Sequence, residues 1–530
     1  MSTSIVWFRK SLRLHDNPVL TEACEDSRIE KIIPLFILDP NIVGKDYEKL
    51  GASRLRFLIE SLQDLDSQLS SKYGSRLILL QGDPLSLFEK IQQSLGQVFN
   101  SLLCEYGSEP YEREKFSAIC QSLEGKNKDI RIKSFSAIQT ILDIEKTISS
   151  TSFKNPKSMK DIEKIFAANF SYNEQGFFQI DDPIPEPKNF KPLPTPPFNS
   201  PVDESQSLHP LTIEEIIDQI SSKINSNIFS VKSYFPGGEI EALARLKRKV
   251  SGQIDFVNNF RKPKTMSTNE ASEPMEPSTT GLSAYISNGC LSVRKLWKEC
   301  EKSYSQAEHT SPPESLHGQL LFREMFYLLS RSVENWDDDT GNIMCKSIDW
   351  GVCDSKKMTA WEEGKTGFPY IDALMRQLNT TGWMHHLGRH AVSCFLTRGQ
   401  LWQHWRLGRS VFDQKLIDSD WALNNGNWLW LSGVAPFSMP YFRLYNPCPD
   451  QKSSLNVETK TAEFIKFWVP ELKNFPAQYI YEPHLAPDSV QTSCNCLIGV
   501  DYPSPIVDRK TSAKENLAKF KASLGKKVSI

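Results

Sequence analysis

Nine of the twelve tryptophans stand between Trp336 and Trp430. Large rings fill helical cores, and that is one reading of them. The other is a relay of oxidisable indoles feeding a redox cofactor. Trp402 and Trp405 are three apart, a spacing that predicts one face of a helix. Trp428 closes a run of two carboxylates and three amides, Asp418, Asp420, Asn424, Asn425 and Asn427. Polar groups at that density need partners if buried. Leu416, Ile417 and Trp421 argue against full exposure, and a heteroaromatic ligand with several hydrogen-bonding edges would satisfy the run. His386 and His390, four apart with Arg389 between them, share a helix face. A metal site would need a third ligand, and no Glu occupies the zincin position. Two readings remain: hydrogen-bonded core histidines, or an acid and base facing a pocket. Ser278 to Ser283 is a hydroxyl-rich turn entering a helix at Ala284, which suits a phosphate or pyrophosphate, or serves as a cap alone.

Common nucleotide signatures fail. Glu363-Gly364-Lys365-Thr366 looks like the end of a P-loop, but Thr359 stands where its first glycine belongs, and no apolar strand precedes it. No GxGxxG follows the first apolar run, which speaks against a nicotinamide site. Cys494 and Cys496 are the only close pair among eleven cysteines, so a reduced intracellular protein is expected.

The elements that must position these residues change character along the chain. Up to residue 135, apolar runs at Ile5–Phe8, Ile32–Leu38, Leu77–Leu80, Leu102–Cys104 and Ile130–Phe135 alternate with helical spacing at 57–69 and 116–123. Buried strands alternating with helices predict an α/β domain with a parallel five-stranded, Rossmann-like sheet. Residues 136–230 read as a Pro-rich connector, since Asp182 to Pro201 alone holds eight prolines. Residues 231–530 read as all-α, with helical spacing at 241–249, 316–330, 370–378 and 383–395. A chain of 530 residues exceeds one compact core. Its 62 basic and 64 acidic residues exclude a polycation, so nucleic acid would be met by a local basic patch such as Arg245, Lys247, Arg248 and Lys249. No apolar run is long enough to cross a membrane, and the first residues lack a secretory signal.

Taken together, these segments resemble the photolyase/cryptochrome family over nearly the whole chain. Trp7-Phe8-Arg9-Lys10-Ser11-Leu12-Arg13-Leu14-His15-Asp16-Asn17-Pro18 looks like the family's opening. Phe235-Pro236-Gly237-Gly238-Glu239, Gly289-Cys290-Leu291-Ser292, Trp361 to Pro369 and Asp418 to Trp430 are similar to its flavin-domain motifs. The resemblance implies FAD in the helical domain. By position, Thr279, Thr280 and Ser283, with Gly281 and Leu282 in the same turn, would hold its phosphates with help from Lys262, and Gln319 and Arg323 would line the pocket. Arg389 would pair with Asp418, Asp420 would meet the flavin's polar edge, and Asn424 would face N5. Trp428, Trp405 and Trp350 match the tryptophan triad, and Trp402 its fourth ring in animal-type members. Trp383 to His390 looks like the (6-4) branch, which implies His386 and His390 as catalytic residues beside the flavin. Phe322 and Gln139 stand where the family usually has Trp and His, and Pro436 to Arg443 is unlike the usual (6-4) loop. The implied activity is light-driven repair of (6-4) photoproducts in UV-damaged DNA by a soluble nuclear monomer, with a deazaflavin or folate antenna compatible. The alternative is a blue-light photoreceptor that signals to a protein partner.

Overall fold

Five apolar runs form strands β1 (Thr3–Phe8), β2 (Lys31–Leu38), β3 (Ile78–Gln81), β4 (Phe99–Glu105) and β5 (Arg131–Phe135). They make one parallel sheet in the order β3-β2-β1-β4-β5. β1, β2 and β4 are buried almost residue for residue, as a parallel sheet covered on both faces requires. The covering helices include Pro18–Glu25, Ala52–Tyr73, Pro84–Leu95 and Pro110–Lys126. Three of these begin with proline at the first turn, and Asn17 and Asp83 cap two of them by accepting from Leu20 and Ser86 N–H. The computed structural model describes residues 2–193, 208–224, 229, 233–269 and 273–525.

The stretch expected as a connector is more structured than its prolines suggest. It contains helices Ile144–Ile148, Met159–Asn169 and Ile213–Ile224. Of the proline run, residues 194–201 lie outside the described residues. The rest lies along the α/β part: Tyr73 Oη donates to Pro187 O, and Lys191 Nζ to the carbonyls of Asp26 and Ile29, all at 2.8 Å.

The chain divides into two compact units, one of Met1–Asn259 with Leu282–Arg331, the other of Phe260–Gly281 with Ser332–Ile530. In the first, the opening segment is held by segments distant in sequence. Glu239 is buried and accepts from Leu14 N–H (2.8 Å), His15 N–H (2.9 Å) and the His15 ring. Asp16 pairs with Arg294 at 2.6 Å and accepts from Ser292 Oγ. Buried Arg13 spends its guanidinium on four backbone carbonyls, those of His15, Asp16, Ile138 and Gly289. Gly237 and Gly289 permit these approaches: a Cβ on Gly237 would lie 2.2 Å from Phe57 O, and one on Gly289 1.7 Å from Lys10 O. Two motifs with a flavin-domain resemblance therefore clasp the N-terminus of the sheet domain.

In the second unit every regular element among the described residues is helical. Gly364, inside the P-loop-like tetrapeptide, is the left-handed C-cap of helix Ser355–Glu363, which accounts for that glycine without a phosphate. Buried Asp372 binds the following turn, accepting from Thr366 N–H (2.8 Å) and Oγ1 (2.6 Å) and from Gly367 N–H (3.1 Å). Trp402 does not share a helix with Trp405. It has a positive φ of 56°, and helix Trp405–Lys415 starts only after its cap, His404. The expected continuous helix at 383–395 is shorter, His386–Cys394, and ends in a π-turn at Phe395–Gly399. No helix among the described residues is long and apolar enough to cross a membrane.

Candidate active site

Helix His386–Cys394 carries the predicted histidine pair, and its cap adds a third imidazole. His385 Nδ1 accepts from Leu387 N–H at 3.2 Å, and its Nε2 meets Thr265 Oγ1 at 3.1 Å. The His386 ring centre lies 4.3 Å from that of His385 and 5.9 Å from that of His390. His390 Nδ1 is 2.9 Å from Tyr445 Oη. Tyr445 Oη also lies 3.3 Å from Met439 Sδ.

Lys262 belongs to this cluster, with its Nζ 5.8 Å from the Trp430 ring centre. Trp430 in turn lies 6.2 Å from His390. Burial, reinforced by Arg389, lowers Lys262 to about 8. Burial and then the neighbouring cations hold His385 and His390 down at about 3, and His386 well below its ordinary value. All three imidazoles are therefore neutral near pH 7. Arg389 donates to Met384 O and to Asp418 Oδ2, both at 2.8 Å. Among the described residues no group of His, Cys, Asp and Glu is placed to share a metal ion.

The polar run at 418–427 divides its labour. Asp420 caps helix Trp421–Leu431 by accepting from Leu423 N–H at 3.0 Å. Asn424 Nδ2 donates to Arg409 O at 3.0 Å. Asn425 and Asn427 donate to carbonyls one turn back within the helix. Capping accounts for part of this run, yet Asp420 and Asn424 stay buried. At the hydroxyl turn the N-cap position of helix Ser283–Ser287 is Leu282, which makes no side-chain cap bond. Gly281 has a φ of +62°, conformation that lets a backbone turn tightly around a small anion. The second unit thus supplies hydroxyls with a left-handed glycine, a paired guanidinium, an amide and a carboxylate. That donor set fits a flavin dinucleotide.

The remaining predicted pocket residues belong to the first unit, with Leu282 and Ser283. Gln319 Nε2 donates to Pro313 O at 2.9 Å. Arg323 donates to Gln139 O and to Tyr327 Oη. Of the predicted basic patch, Arg245 is buried 5.4 Å from the Phe235 ring, and Arg248 pairs with Glu241 at 2.5 Å, whereas Lys247 is exposed. Arg245 therefore drops out of the surface patch.

The tryptophans separate into two kinds. Trp336 and Trp361 donate their indole N–H to Ala422 O and Val392 O, both at 3.0 Å. Trp405 and Trp428 are fully buried, and their indole N–H groups have no partner among the described residues. Gly408 lets helix Trp405–Lys415 press against Trp428, since a Cβ there would lie 2.1 Å from the indole. Trp350 and Trp402 are 5.0 Å apart, ring centre to ring centre. Sequence spacing missed His385, Tyr445 and the company Lys262 keeps. The His385-His386 doublet was a signal for the first; nothing in the sequence announced Tyr445.

Residues 4–188 match the family profile described as DNA photolyase, and residues 315–522 that of the FAD binding domain of DNA photolyase. A (6-4) DNA photolyase of Arabidopsis thaliana is 39% identical over 97% of this chain and 87% of its own. Cryptochrome-1 of Erithacus rubecula is 35% identical over 98% of this chain and 78% of its own. The crystal structure of a Synechocystis cryptochrome superposes with a TM-score of 0.79 at 24% identity, covering 98% of this chain and 99% of that one, which shows the fold.

Proposed function

The chain belongs to the DNA photolyase/cryptochrome family, and from that premise we propose that it repairs (6-4) pyrimidine photoproducts in UV-damaged DNA under light. The observation that carries this reading is the imidazole cluster of His385, His386 and His390, with successive ring centres 4.3 and 5.9 Å apart. A photoreceptor needs only a flavin and an electron path. Oxygen transfer between two bases also needs groups that hold and move a proton.

In the second unit, Thr279 and Thr280 would hold the FAD pyrophosphate, and Arg389, Asp418, Asp420 and Asn424 its ring. Bound there and reduced, FAD would supply the light-driven electron for the lesion. The damaged nucleotides are flipped out of the duplex, at low cost because their pairing is already weakened. His390, its Nδ1 paired with Tyr445 Oη, would hold or move a proton at Nε2. His386, held neutral, hydrogen-bonds the lesion without repelling the cations around it. Lys262, lowered to about 8 by burial and by Arg389, still carries a proton at pH 7. An antenna, a deazaflavin or a folate, would take the cavity at the carboxyl ends of β1 and β2, where Trp7, Phe8, Arg9, Tyr111 and Lys115 line it. Action as a nuclear monomer completes the reading.

The test is illumination of the reduced protein with an oligonucleotide carrying one (6-4) lesion, followed by chromatography of the restored bases. Wild type is expected to restore them, and His390→Ala to lose roughly a hundredfold or more, the size of a general acid–base contribution. Flavin photoreduction without restoration of bases would instead establish the photoreceptor.

A further inference from the structure

One side chain between the indoles of the second unit is unused by the function above. The His404 ring centre lies 5.8 Å from that of Trp405 and 6.2 Å from that of Trp350. Trp350 then leads to Trp402 at 5.0 Å. His404 also caps helix Trp405–Lys415: its Nδ1 accepts from Arg406 N–H at 3.1 Å. A ring nitrogen that accepts from a backbone N–H cannot carry a proton itself, so the cap fixes the tautomer with hydrogen on Nε2. Nε2 faces the Asp339 carboxylate at 3.5 Å.

The charges around this ring come from two elements. Asp338 and Asp339 belong to the turn after Trp336. Arg406 belongs to the capped helix and pairs with Asp338 at 2.9 Å and with Asp339 at 3.9 Å. Burial lowers the His404 pKa, Asp339 and Asp338 oppose that, and Arg406 adds to it. On the far side, Lys519 of the last helix sits 5.6 Å from the Trp402 ring centre.

We propose that His404 is a positioning residue for electron flow along the indoles: neutral and capping, it leaves the path between Trp405 and Trp350 open, and protonated, it closes it. The proposal rests on the reading that a flavin is photoreduced through Trp428. In the step concerned, one electron passes from Trp350 to the Trp405 radical cation, which becomes a neutral tryptophan and leaves Trp350 as the radical cation. No bond is made or broken. Trp405 Nε1 is buried with no hydrogen-bond partner among the described residues, and the step is one of electron transfer alone. An imidazolium beside Trp405 and Trp350 would make both poorer hosts for that charge than Trp428, and the charge would return before reaching Trp402. Proton uptake at Nδ1 would also break the cap.

The experiment compares wild type with His404→Asn, which keeps a capping oxygen and removes the titrating ring. Both are loaded with oxidised FAD, and the long-lived tryptophan radical is followed by flash absorption from pH 8 to pH 5. In parallel, imidazole nitrogen NMR reads the tautomer and midpoint of His404. In wild type the radical yield is expected to fall roughly fivefold on acidification, with the NMR midpoint of His404. In His404→Asn that dependence is lost. Superimposable pH profiles, or a His404 ring protonated on Nδ1 at pH 7.5, overturn the proposal. A Trp428→Phe control separates the two levels: if it forms the radical as wild type does, the chain reading falls and the proposal with it. If it abolishes the radical while wild type and His404→Asn share one pH profile, only the role of His404 falls.

Discussion

At the scale of single residues, the cluster around His390 stores an acid sensitivity with a definite sign. A histidine whose folded pKa is lowered binds fewer protons folded than unfolded, so stability falls as pH drops below its unfolded value of about 6.5. For His385 and His390, the window runs down to about 3. Glu105 and Glu324, raised to about 7 by burial, slope the other way between about 4.3 and 7. The informative quantity is therefore a difference between variants. His385→Asn retains a cap and removes one titrating ring, so urea melts should show it losing less stability than wild type between pH 6.5 and 4. Parallel stability curves would mean that the ring is charged when folded. Tyr445→Phe probes the tautomer of His390 without touching the flavin residues. Loss of one oriented hydrogen bond is worth about 1 kcal/mol, so repair is expected to slow about fivefold to tenfold at unchanged flavin content.

At the scale of elements, close approach between helices decides what spacing alone cannot. Gly408→Ala places a methyl 2.1 Å from Trp428. The overpacking should cost about 1–3 kcal/mol in a denaturant melt, and should displace Trp428 enough to change its fluorescence. A melt within a few tenths of a kcal/mol of wild type would show that the helices part freely. The strands were legible because a parallel sheet buries continuous apolar runs, as Ile32 to Leu38 does. The shared helix of Trp402 and Trp405 was a misreading, because a left-handed residue before a histidine cap leaves no trace in apolar spacing. Helix Met159–Asn169 hid inside an apparent connector: it buries only Ile162 and Phe166. In the site, same-helix pairs such as His386 and His390 were legible. Tyr445 and Lys262 reach the cluster from distant segments, and pairwise spacing carries no information about them.

At the scale of the whole molecule, an α/β part followed by a helical part was legible from texture, but the membership of the compact units was not. A division at residue 230 follows the proline-rich stretch. Yet residues 233–259 and 282–331 pack with the sheet, because Glu239, Ser292 and Arg294 serve the buried polar groups of Leu14, His15 and Asp16. Unpartnered buried groups cost about 1–3 kcal/mol each, more when charged. A fragment of residues 1–230 would leave the Leu14 and His15 N–H groups, the His15 ring and the Asp16 carboxylate without those partners, a loss comparable to the whole stability of a small domain. That fragment is expected to give poor amide dispersion and no cooperative thermal transition. A fragment of residues 1–331, which contains the complete first unit, should melt cooperatively. If 1–230 melts as sharply as 1–331, the clasp around Glu239 is dispensable and the sheet domain ends where its prolines begin.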